Sequence, residues 1–191
     1  MSRSPVNVST PSSQWLCPAC ALCCDGAIFR DVELQAGDDA PRLQALGLRL
    51  GAGRPVFRFP QPCAALDGCR CSIYAERPAR CRQFDCALLQ SVEAGRVNTE
   101  SALRHIRQAH RLADRVRALL LELGDTNEGC ALSLRCQRTA RRLERSAPTP
   151  AAAAKFADLT LAWHALNRKL ERYFHPGSVL LAAKARPAVA Q

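Results

Sequence analysis

Apolar positions three and four apart organise the second half of the chain and are almost missing from the first. Leu103, Ile106, Ala109, Ala113, Val116, Leu120 and Leu123 keep helical spacing. They predict an amphipathic helix opening at Asn98 or Thr99, whose side chains can accept its free N–H groups. Ahead of it, Gly95 predicts the end of a helix that begins near Phe84. A shorter stripe of Leu132, Cys136, Ala140 and Leu143 predicts a helix from about Cys130 to Arg145. "APTPAAAA" reads as a loop leading into a last helix, with Phe156, Leu159, Trp163, Leu166, Leu170 and Tyr173 on one face and Pro176-Gly177 as its stop. Three or four such helices, each with one apolar face to bury, predict a small antiparallel bundle.

The first half offers punctuation instead of period. Gly37, Gly47, Gly51, Gly53, Pro41, Pro55, Pro60 and Pro62 interrupt it. A short strand is expected at "PVFRFP", with Val56 and Arg58 on one side and Phe57 and Phe59 on the other. The expected fold is mainly α with irregular regions: a loop-rich cysteine module, with one short strand, packed on the bundle. The chain divides accordingly into a flexible N-terminus over 1–14, the module over 15–90, a helical region over 91–180 and a flexible tail over 181–191.

Cysteine changes the picture of the irregular half. Nine of the 11 cysteines fall between residues 17 and 86, four of them in "CPACALCC". A chain of 191 residues, 48% hydrophobic, can bury a core without cross-links. The start, "MSRSPVNVSTPSSQWL", has no apolar segment of a secretory leader. No stretch approaches the roughly 20 apolar residues of a membrane span; the best, Ala113 to Leu123, is broken by Asp114, Arg115, Arg117 and Glu122. A cytoplasmic protein keeps its thiols reduced, and an odd count does not close into disulfides. Metal ligation or catalysis is therefore expected.

The net charge of +10 comes almost wholly from arginine, since only Lys155, Lys169 and Lys184 are lysines. With 5% aromatic residues and no long basic run, it reads as a solvated basic surface and argues against a nucleic-acid partner.

A C-x-x-C turn lets both thiolates reach one ion. Cys17, Cys20 and Cys23 repeat that spacing, as the ferredoxin-type run C-x2-C-x2-C-x3-C does. Residue 27 is Ala, however, and Cys24 follows Cys23 directly. Neighbours on a trans peptide point apart, so Cys24 is expected to serve a second metal, to bridge, or to stay free. Cys63, Cys69, Cys71, Cys81 and Cys86 supply enough sulfur for a second site. Four thiolates around zinc or a four-iron cluster leave about two negative charges. Arg70, Arg77, Arg80 and Arg82 lie among these cysteines as candidate counter-charges and donors to sulfur. Tyr74 and Phe84 are expected to pack over the cluster, Pro78 to stiffen the approach to Cys81, and Asp25-Gly26 and Asp67-Gly68 to form turns. His105, His110, His164 and His175 read as surface or packing residues, Cys130 and Cys136 as small core residues.

"CPACALCC" together with "CSIYAERPARCRQFDC" resembles the YkgJ-type cysteine-cluster family, the CxxCxxCC zinc- or iron-chelating domain. The family pattern maps onto Cys17, Cys20, Cys23 and Cys24, then Cys71, Ile73, Tyr74, Arg77, Pro78, Cys81, Arg82, Phe84 and Cys86, with Cys63 ahead of an Asp-Gly turn and Cys69 additional. The resemblance covers roughly residues 15 to 90 and implies metal binding in a small bacterial cytosolic protein. A related branch, the flagellin lysine methylases, adds a methylase-like alternative. No Gly-rich strand-turn-helix motif accompanies it here. All-cysteine sites suit zinc and iron–sulfur alike. The repeated C-x2-C run tilts the expectation towards an iron–sulfur cluster of the four-iron type, with Zn2+ as the other choice. Three functions remain open: a metal-dependent redox or modifying enzyme, a structural zinc module for protein–protein interaction, and a metal trafficking or sensing protein.

Overall fold

Local chemistry sets most element boundaries in the computed structural model, which describes residues 12–51 and 56–176. Of the expected flexible ends, residues 1–11 and 181–191 lie outside the described residues, as do Pro55 and Gly177. The chain runs α1 (Ser12–Cys20), β1 (Asp31–Glu33), α2 (Ala40–Ala45), β2 (Arg58–Pro60), β3 (Leu66–Asp67), β4 (Arg70–Cys71), a 3-10 turn (Tyr74–Glu76), α3 (Ala79–Gln83), α4 (Ala87–Glu93), α5 (Thr99–Glu122), α6 (Leu132–Arg145) and α7 (Pro150–Tyr173). The fold is mainly helical, as expected, with two small antiparallel sheets near the N-terminal cysteines. No helix among the described residues is long and apolar enough to cross a membrane.

The long helices start where their caps predict. Asn98 Oδ1 accepts the Ser101 N–H at 2.8 Å and opens α5. Gly95, with φ +65°, follows the last residues of α4, and its N–H reaches the Val92 carbonyl at 2.9 Å. The alanine run expected as a loop is helical instead. Thr149 Oγ1 accepts the Ala152 N–H at 3.3 Å, and Pro150 takes the first helical position, so "TPAAAA" is the start of α7. In α6 the buried residues are Leu132, Arg135 and Thr139, while Cys136 is half-buried against the core.

The short helices α1, α2 and α3 had no periodic stripe to announce them. Asp39 caps α2 by accepting the Arg42 N–H at 2.9 Å. Asp38 opens α3 from a distance, accepting the Ala79 N–H at 2.8 Å. In the first sheet Val32 pairs with Phe59. Phe59 is buried and Phe57 is 48% exposed, because the strand begins only at Arg58; the two phenylalanines do not share the face expected of them.

α5 and α7 lie antiparallel along one another: Lys155 meets Glu122 at 2.8 Å at one end, and the Tyr173 ring stacks on His105 at 3.9 Å at the other. α1, α4 and α6 pack against α5. Two hydrophobic clusters result. The larger joins Leu16, Leu22, Leu88 and Leu89 to the inner faces of α5, α6 and α7 and to Phe174. The smaller consists of Leu34, Leu43, Leu48, Phe59, Ala65 and Ile73.

Gly26 joins the cysteine turn to the start of α6. Its φ is +81°, a Cβ there would lie 3.0 Å from Ala131 Cα, and its carbonyl accepts the Leu132 N–H at 3.0 Å. Gly26→Ala combines a left-handed conformation unfavourable to L-residues with a backbone clash, and is expected to cost about 2 kcal/mol in urea unfolding. A loss under roughly 0.5 kcal/mol would contradict the close approach.

Candidate metal centre

Cys17 and Cys20 stand one turn apart at the end of α1, so both side chains face the same way. The helix cannot continue past them. Ala21 takes a positive φ of +52°, and its carbonyl accepts the N–H groups of Cys24 at 2.7 Å and Asp25 at 3.0 Å. That tight turn presents Cys23 and Cys24. A non-glycine residue in the left-handed region stores local strain, as functional turns often do. His110, expected to be an ordinary packing residue, reaches from α5 to the Cys20 carbonyl at 2.7 Å and fixes the end of α1. Asp25 closes the turn, accepting the Ala27 N–H at 2.9 Å and pairing with Arg117 at 2.8 Å.

The remaining thiols arrive from two directions. Cys86 is the N-cap of α4, its sulfur accepting the Leu89 N–H at 3.4 Å. Cys63 is tied directly to the turn, its N–H donating to the Cys24 carbonyl at 2.8 Å. The β3–β4 hairpin places Cys71 opposite Leu66, and α3 carries Cys81. Asp38 is the anchor that sequence reading missed: it also accepts the Gln35 N–H at 2.8 Å, so one carboxylate holds a loop and the helix of Cys81 together. Such long-range contacts leave no periodic or motif signal.

The thiols influence one another in two groups. Burial pushes Cys17 up to about 11, although the residue reaches the surface, and Cys86 adds to the rise. Burial also pushes Cys20 and Cys23 upward; Cys86 and Cys17 add to both, and Cys20 adds to Cys23. Cys24 is pushed up to about 12 by burial and then by Cys63, Cys81 and Cys71. Cys81 is pushed up to about 11 by burial and then by Cys63 and Cys71. Cys63 rises by burial, with Cys71 contributing. The Arg77 guanidinium lowers both Cys17 and Cys81, which places it near both groups. Burial thus favours the thiol over the thiolate at Cys17, Cys20, Cys23, Cys24, Cys63 and Cys81. Thiolates are the ligands, so an ion must supply the stabilisation that burial withdraws.

The other expected residues are spread more widely. Cys69 is exposed at the tip of the β3–β4 hairpin. Tyr74 is 42% exposed, with the Arg77 guanidinium over its ring at 3.7 Å. Phe84 is half-buried, edge-on to Phe29 at 4.9 Å. Arg82 donates to the Arg77 carbonyl at 2.7 Å, and Arg80 is exposed. Cys136 packs against the larger core, but Cys130 does not: it lies in the loop before α6, with Arg138 Nη1 at 3.3 Å from its sulfur.

Gathering is not yet coordination. Among the described residues no three cysteine, histidine or carboxylate side chains come close enough to enclose one ion. The donor chemistry nevertheless fits a soft metal: eight module thiols outside the hairpin tip, all unpaired. A cavity of about 210 Å3 is lined by Asp25, Pro62, Arg117, Glu128, Cys130 and Arg135 among others.

Neither the curated proteins nor the solved structures contain a match to this chain. Residues 16–104 match the family model CxxCxxCC, described as "Putative zinc- or iron-chelating domain". That segment, just under half of the chain, holds every cysteine from Cys17 to Cys86, and through it the chain is similar to the CxxCxxCC family.

Proposed function

We propose that this chain is an iron–sulfur protein whose clusters are held by Cys17, Cys20, Cys23, Cys24, Cys63, Cys71, Cys81 and Cys86. The observation that carries the reading is the convergence of these eight thiols from α1, the following turn, the loop before β3, the β3–β4 hairpin, α3 and the α4 cap. The C-x2-C-x2-C run completed by a distant cysteine is the spacing used by ferredoxin-type clusters, which favours iron–sulfur over a plain ion. Cys69, alone at its hairpin tip, is left out. Eleven unpaired thiols suit a reducing cytoplasm.

A structural zinc module is the second reading, and burial favours it. Cys20 and Cys86 sit within the larger hydrophobic cluster, where closed four-thiolate ligation would act as part of the core. Anaerobic purification followed by an absorption spectrum and elemental analysis separates the two. Iron with acid-labile sulfide and a brown colour is the expected result. A colourless protein with stoichiometric zinc would replace the cluster while keeping the ligands, and a folded protein with neither metal would remove both readings.

A further inference from the structure

We propose that the eight cysteines form two separate four-thiolate sites divided at the Cys23–Cys24 peptide bond: Cys17, Cys20, Cys23 and Cys86 hold one metal centre, and Cys24, Cys63, Cys71 and Cys81 the other. This deepens the metal-binding reading above and rests on it.

Two observations converge on that division. The first is the backbone. Cys23 and Cys24 are consecutive on the turn after α1, and of the two it is Cys24 that is tied to Cys63 by a main-chain hydrogen bond of 2.8 Å. The second is packing. Cys20 and Cys86 belong to the cluster built on α5 and α7, whereas Cys63, Cys71 and Cys81 pack against the separate cluster of Leu34, Leu43, Leu48, Phe59, Ala65 and Ile73. Packing assigns Cys20 and Cys86 to one set and Cys63, Cys71 and Cys81 to the other, the main-chain bond adds Cys24 to the second, and the C-x2-C-x2-C spacing keeps Cys17 and Cys23 with Cys20.

Bacterial ferredoxin runs behave in parallel fashion: three closely spaced cysteines and a distant one hold one cluster, while the last cysteine of the run serves the other. Here the distant partner of the run is Cys86, and the crossing residue is Cys24. Two centres of about two negative charges each repel one another. Arg77 is placed to offset this, with Nε on the Tyr74 carbonyl at 3.1 Å and its charge felt by a cysteine of each set.

The test compares full-length Cys→Ser variants, reconstituted without oxygen either with zinc alone or with iron and sulfide, and measures metal per chain by elemental analysis and native mass spectrometry. Wild type is expected to hold two centres, and Cys17→Ser and Cys71→Ser one each, a loss of roughly half. The within-set pair Cys17→Ser/Cys86→Ser is expected to lose no more than Cys17→Ser alone. The cross-set pair Cys17→Ser/Cys71→Ser is expected to lose everything, and Cys69→Ser nothing. A far-UV spectrum checks each variant's helices; one that fails to fold is replaced by Cys20→Ser in the first set or Cys63→Ser in the second. A single variant that removes all metal, a within-set pair that removes more than one centre, or metal loss in Cys69→Ser overturns the division. Wild type with one centre overturns the division but leaves the metal reading standing, whereas wild type with none overturns both.

Discussion

Asp125→Ala is expected to cost about 3–5 kcal/mol of folding stability, because it leaves a guanidinium buried without its counter-charge. Arg135 is 2% exposed, and its Nε meets Asp125 Oδ1 at 2.8 Å while Nη2 meets the Asp125 carbonyl at 3.1 Å. Arginine cannot shed its proton to escape the interior. After the substitution only the carbonyl bond remains. For a chain of this length the thermal midpoint should fall by roughly 6–20 °C. Asp125→Asn keeps a hydrogen-bond acceptor and should lose less. The double variant Asp125→Ala/Arg135→Met should recover most of the loss, since an apolar pair often replaces a buried ion pair at little cost. A drop below about 1 kcal/mol in Asp125→Ala would show that the guanidinium reaches water by another route.

Arg135 also marks a limit of sequence reading. The periodic stripe in α6 pointed to Leu132, Cys136, Ala140 and Leu143, but the helix is turned so that Leu132, Arg135 and Thr139 face inward. Arginine reads as a surface residue unless its partner is visible, and Asp125 lies in the preceding loop, outside any helical period. Where burial alone decides, as along Ile106, Ala109, Ala113 and Val116 of α5, period and structure agree. Within the module, the two motifs supplied the cysteines, but spacing could not say which thiols share a neighbourhood. That depends on the Cys24–Cys63 main-chain bond, the reach of His110 to Cys20 and the double hold of Asp38, all of them contacts across long stretches of chain. The strain at Ala21 and the two hydrophobic clusters are equally products of tertiary packing.

Phe174→Ala should be as damaging as Asp125→Ala, at about 3–5 kcal/mol, and should also reach the cysteines. Phe174 is fully buried in the larger cluster, and its carbonyl accepts the Ala87 N–H at 3.2 Å, at the residue after Cys86. The end of α7 therefore helps seat α4 and the sulfur at its cap. Phe174→Leu keeps most of the apolar volume and should lose under about 1.5 kcal/mol. In metal-free protein under native conditions, a thiol reagent should label Cys86 faster in Phe174→Ala than in wild type. Cys63, packed on the other cluster, should change little. Full destabilisation with unchanged Cys86 labelling would sink the link between α7 and the thiol. The family pattern stops at residue 104, in the first turns of α5, but the core around Cys20 and Cys86 continues to Phe174. One half of the cysteine module thus takes its rigidity from helices outside the segment that identifies it, whereas the other half leans on the small cluster inside that segment.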